Sequence, residues 1–132
     1  MKTITVVLVD DNEKYRLALE KFLTKNGIEI AGSFTHALFI EQTQLKVIPD
    51  IAIISFDKTG FLIERTIEFI RAYYSQVKIL VNSIFDDRES IDKIILTAVQ
   101  GMIFKIHKDP GEHILQAIDA LHEGRNFFVE KK

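Results

Sequence analysis

The stretch VVLVDDNEKYRLALEKFL, residues 6–23, decides the fold. It opens with an unbroken apolar run, turns on two acids, and continues with apolar residues at a different period. VVLV reads as a strand buried on both faces, because a strand with one wet face would alternate. Beyond the acids, Tyr15, Ala18, Leu19, Phe22 and Leu23 fall at the i, i+3, i+4, i+7, i+8 spacing of an amphipathic helix. NG at 26–27 ends that helix. Asp10, Asp11 and Asn12 lie between the two elements, where acids suit the helix dipole and a polar side chain caps the first turn.

The unit repeats. Strand-type runs follow at IEIAG (28–32), DIAIIS (50–55), VKILVNS (77–83) and GMIFK (101–105), with the first at TVVLV (5–9). Helical spacing returns at Ile91, Ile94, Ile95 and Ala98, and again at Ile114, Ala117, Ile118 and Leu121. Asp109, Pro110 and Glu112 form a cap for the last helix, and Gly124 stops it. A helix over 34–47 is expected mainly from its place between strands. Alternating strands and helices predict an α/β fold: a doubly wound parallel sheet of five strands with helices on both faces.

Composition narrows the classes. The 132 residues suit one domain, and 47% hydrophobic residues suffice for a core without metal or disulfides. Cysteine is absent, which removes thiol chemistry and suits a reducing cytoplasm. A net charge of −2 gives no electrostatic reason for this domain itself to bind nucleic acid. The apolar runs are far shorter than the ~20 residues of a membrane helix. MKTITVVLVDD meets its acids too early for a signal peptide. The expectation is a cytoplasmic chain with no membrane contact.

Open parallel sheets bind ligands at the carboxyl ends of their strands. The residues there are Asp10 and Asp11, Ser55, Ser83 and Lys105. Carboxylates bind Mg²⁺, while a lysine and a hydroxyl bind phosphate oxygens. Each residue alone has an ordinary explanation as a cap or as solvated surface. Their joint appearance at four strand ends does not.

This combination resembles the receiver domain of bacterial two-component response regulators, over residues 3 to 124. VVLVDDNEKYRLALEKFL is similar to the first strand, acidic pair and first helix of that family. PDIAIIS resembles the strand that ends in the phospho-acceptor, VKILVNSIFDDRES the fourth strand with its Ser/Thr, and AVQGMIFK the approach to the essential lysine. Ser55 to Ser83 is 28 residues and Ser83 to Lys105 is 22, without a gap against the pattern. ALHEGRNFF resembles the exit of receivers joined to a LuxR-type helix-turn-helix. The resemblance implies a flavodoxin-like sheet in strand order 2-1-3-4-5, a receiver over 1–124, and a tail or linker over 125–132. It implies metal ligation by Asp10 and Asp11, with Ser83 and Lys105 on the phosphoryl oxygens.

The departures are as informative. The family's acceptor is aspartate; here Ser55 stands in its place. Thr59 replaces the proline of the following loop, Ile63 a glycine, and Met102 the switch aromatic. A receiver's carboxylate is both nucleophile and metal ligand, and a neutral hydroxyl without a general base does neither well. The histidines at 36, 107, 113 and 122 are scattered and read as surface residues. Asp57 is the rival, as a displaced acceptor or a third metal-side group.

The expectation is therefore an atypical receiver, not an enzyme. It would bind Mg²⁺ weakly at most and act through protein contacts. Its partners would be a histidine kinase or another signalling protein and a second copy of itself, with DNA reached only through a separate effector domain. Met102, Phe104, Ile106 and the exposed side of 110–123 are the expected contact face. DKTG at 57–60 matches the phosphorylated tetrapeptide of ion pumps, but FLI follows it rather than Thr-Leu-Thr. A small Mg²⁺-dependent phosphatase is the remaining alternative, although haloacid-dehalogenase-like enzymes begin their motif with aspartate where this chain has Ser55.

Overall fold

Strand β1 (Thr5–Asp10) is buried along its whole length, and helix α1 (Glu13–Lys25) follows after one turn. Asn12 caps α1, its side-chain oxygen accepting the Tyr15 N–H at 3.0 Å. The chain is described by a computed structural model over residues 3–36, 45–56, 62–84, 87–105 and 111–129. The further elements are β2 (Glu29–Phe34), β3 (Ile51–Ser55), α2 (Leu62–Tyr73), β4 (Lys78–Ser83), α3 (Arg88–Leu96), β5 (Gly101–Phe104), α4 (Gly111–His122) and β6 (Phe127–Phe128).

The strands form one parallel sheet in the order β2-β1-β3-β4-β5-β6. The predicted doubly wound class holds, with a correction: the described residues form six strands, not five. Phe127 and Phe128 pair with Gly101 and Met102, so the sheet extends past residue 124. A two-residue strand is too short to carry a periodic signal, which is why the apolar runs did not disclose it. The N–H groups of Phe127 and of Val129 just beyond it donate to the carbonyls of Gln100 and Met102, covering the open edge of β5.

Alternation along the strands splits the core into two layers. Val7, Val9, Ala52, Ile54, Ile79 and Val81 face α2 and α3. Val6, Leu8, Ile51, Ile53, Leu80 and Ile103 face α1 and α4. Each buried Val, Leu or Ile contributes about 1.5–3 kcal/mol through apolar area removed from water. Asp50 of the PD pair has a structural task here: its carboxylate accepts the Thr5 N–H at 2.9 Å, fixing the start of β1.

Two helix expectations need correction. β2 runs through Phe34, so no helix begins there; most of the expected 34–47 helix lies outside the described residues. Ala98, counted in a helical repeat, lies beyond α3. Thr97 is the C-cap, and Ala98 turns back with φ 58°. The Arg71 guanidinium holds this corner, donating to the carbonyls of Thr97 and Ala98 at 2.5 and 2.8 Å. Asp109 and Pro110 lie outside the described residues, whereas Gly124 ends α4 with φ 86°, as a stop residue should. Among the described residues, no helix is long and apolar enough to cross a membrane.

Candidate functional site

Parallel pairing brings the sequence-predicted residues to one rim. Asp10 ends β1 and is the register partner of Ser55, which ends β3. Ser83 ends β4, and its carbonyl accepts the Lys105 N–H at 2.8 Å just beyond β5. Asp10, Ser55, Ser83 and Lys105 are all buried, while Asp11 is half-buried. Asp57, with Thr59, lies outside the described residues.

At the centre is an ion pair. The Lys105 ammonium donates to Asp10 Oδ1 at 3.2 Å and to Oδ2 at 2.9 Å. Asp10 Oδ1 also accepts the Asn12 N–H at 2.9 Å, so the turn into α1 orients the carboxylate. The lysine side chain is 0% exposed and the aspartate side chain 6%. The ammonium also lies 4.1 Å from the centroid of the Tyr15 ring, a cation–π contact away from water. Beside this pair, Ser55 is 2% exposed and its Oγ has no hydrogen-bond partner among the described residues.

Two members of the site were not singled out in the sequence. Tyr15 was counted only as part of an apolar helix face, and Asn82 only as part of a strand. The Asn82 amide donates to the Tyr15 hydroxyl at 2.8 Å. An amide inside an apolar strand, at a position sharing the face of Leu80, was the signal that could have found it. His36, read as a surface residue, is half-buried and sets its ring edge-on to Phe56 at 6.4 Å, next to the rim.

Met102 corrects another expectation. It is 3% exposed and packs in the layer beneath α2 and α3, so it is not part of a solvent-facing contact surface. Phe104 is half-buried at the edge of that layer, and Ile106 lies outside the described residues. A cleft of about 420 Å³, lined in part by Asp50, Lys78 and His122, lies at the opposite, amino ends of the strands.

The metal that the receiver resemblance implies fits these residues poorly. Mg²⁺ requires near-octahedral oxygen coordination and is drawn by carboxylates. Asp10 already binds an ammonium through both oxygens, and Ser55 adds a neutral hydroxyl where a carboxylate would share the metal's charge, which leaves the half-buried Asp11 as the other carboxylate of the predicted set among the described residues. Among the described residues, no group of three or more His, Cys, Asp or Glu side chains could hold a metal ion.

No protein-family model and no curated protein matches the chain. Solved structures do match. The non-phosphorylated receiver domain of the stress response regulator RcsB from Escherichia coli superposes with a TM-score of 0.77 at 18% identity, covering 98% of this chain and 100% of that one. The isolated apo receiver domain of RcsB from Salmonella enterica serovar Typhimurium gives 0.80 at 17% identity, covering 97% and 94%. A structure of two RcsB dimers bound to two parallel DNAs gives 0.80 at 18% identity; the chain spans 64% of that longer protein. The similarity thus runs across the whole sheet and its helices: this chain has the fold of a response-regulator receiver domain.

Proposed function

We propose that this chain is an atypical receiver domain in signal transduction, one that works through protein contacts without ordinary aspartyl phosphorylation. The observation carrying the reading is Ser55, buried at the end of β3 beside Asp10, its Oγ unpartnered among the described residues. A carboxylate there would attack a phosphoryl group and share a metal's charge. A serine hydroxyl needs a base, and the adjacent Asp10 is engaged by Lys105. At 2% exposure the hydroxyl is also out of reach of a protein kinase acting on surface serines.

The domain then transmits information by its abundance or by what docks on it, and it turns over no substrate. The fold likeness to RcsB, one of whose solved structures holds two dimers bound to DNA, supports a second copy as a partner; a histidine kinase or other signalling protein of the cytoplasm is the proposed upstream partner. DNA would be contacted only through a separate effector domain. The test is incubation of the full chain with Mg²⁺ and a small phosphodonor, followed by intact mass. An unchanged mass is expected. Addition of one acid-labile phosphoryl group refutes the reading, and its loss in Asp57→Ala would assign a displaced acceptor instead.

A further inference from the structure

The polar residues of the rim form a continuous row. Asp10 pairs with Ser55 across β1 and β3. The register of β3 with β4, Ile54 beside Val81, continues by one residue to bring Asn82 next to Ser55. By strand alternation, Asp10, Ser55 and Asn82 share the face of Leu8, Ile53 and Leu80, under α1 and α4. The row contains one carboxylate, one hydroxyl and one amide. Lys105 closes over its carboxylate end.

We propose that Lys105 is the resident cation of this pocket, standing where a divalent metal would otherwise neutralise Asp10, and that the site takes no such metal. This rests on the receiver-type reading and deepens it. A carboxylate shut away from water requires a counter-charge. Here the ammonium supplies it through two charge-assisted bonds. A metal at Asp10 would have to displace an ammonium whose side chain is 0% exposed, and beside the half-buried Asp11 it would find a neutral hydroxyl at Ser55 in place of the acceptor carboxylate.

The lysine is held from behind as well. Asn82 fixes the Tyr15 hydroxyl, and the Tyr15 ring lies against the ammonium. Asn12 fixes the carboxylate from the other side. β4, α1, β5 and β1 are thereby tied together through one set of polar contacts. The Asp10 carboxylate is neutralised without either metal or phosphate.

Ser55 makes this arrangement stable. An aspartate in its place would put a second carboxylate beside Asp10, compete for the ammonium, and leave negative charge for a metal. The test is Mn²⁺ binding to the full chain, read by electron paramagnetic resonance, together with ¹⁵N NMR of the Lys105 ammonium during Mg²⁺ titration. The wild-type chain is expected to leave Mn²⁺ free and to keep a slowly exchanging ammonium signal that Mg²⁺ does not move. Ser55→Asp is expected to bind Mn²⁺ at least about tenfold more tightly, because affinity follows the charge of the ligand set.

Saturable Mn²⁺ binding by the wild type that is lost in Asp10→Asn overturns the proposal. So does a Lys105 signal that shifts with Mg²⁺, or a folded Ser55→Asp variant that binds no more tightly than wild type. If Ser55→Asp does not fold, the wild-type ammonium signal decides. Metal binding without phosphoryl gain would refute the resident cation and leave the atypical receiver standing. Phosphoryl gain without metal binding would do the reverse.

Discussion

Replacing Lys105 with methionine removes the ammonium while keeping an unbranched side chain of similar length. Asp10, its side chain 6% exposed, then keeps the Asn12 N–H but loses the two bonds from Lys105. Removing one partner of a buried pair costs about 3–5 kcal/mol, chiefly because the remaining charge is desolvated without compensation. Against a domain stability of roughly 5–15 kcal/mol, the variant should still fold but melt roughly 10–20 °C lower. Asp10→Asn in the same background removes the stranded charge. The double variant should therefore lose much less than the sum of the single changes, with a coupling of about 2 kcal/mol or more. Urea unfolding followed by circular dichroism measures all four corners of the cycle. Arg88→Ala supplies the scale for a solvated pair: Arg88 and Asp92 lie 3.4 Å apart with side chains 90% and 55% exposed, so about 0.5 kcal/mol or less is expected. A Lys105→Met loss no greater than that of Arg88→Ala, or strictly additive energies, would refute the buried-pair argument.

Three further outcomes are expected. Tyr15→Phe leaves the Asn82 amide without its acceptor at a site 1% exposed; it should cost about 1–3 kcal/mol in urea unfolding and be largely recovered by adding Asn82→Leu. Ala98→Gly relieves a left-handed residue at φ 58°, and after the entropy cost of glycine it should gain up to about 1 kcal/mol, read as a raised melting temperature. Gly101→Ala places a Cβ 2.9 Å from Leu80 Cδ1 and 3.1 Å from the Phe127 carbonyl oxygen, so it should cost about 1–3 kcal/mol and speed hydrogen exchange at the Phe127 and Val129 amides; unchanged exchange would show that β6 does not depend on this close approach.

The edge of the sheet has its own significance. β5 would otherwise present unpaired backbone groups to solvent, inviting another chain to add a strand. β6 satisfies them with two N–H donors from 127 and 129, and the absence of a side chain at Gly101 lets it approach. Ile95, Leu96 and Phe128 remain exposed. The strand edge left on this side is therefore the two residues of β6, flanked by helix and tail side chains.

The sequence by itself determined the sheet and most of its boundaries. Continuous apolar runs at β1, β3 and β4 can be buried only from both sides, and a change from strand to helical period is a local property of the chain. Asp10, Asp11, Ser55, Ser83 and Lys105 were legible for the same reason, because each ends or follows a strand and a parallel sheet brings such ends to one rim. The tertiary structure alone decided how those residues pair. Whether Lys105 reaches Asp10, whether Tyr15 turns its ring to the ammonium, and whether Asn82 holds the phenol depend on register and helix packing between residues as many as 95 positions apart. Met102 and β6 were missed on the same principle: burial depends on what lies across the sheet, and a two-residue strand exists only because β5 offers it an edge.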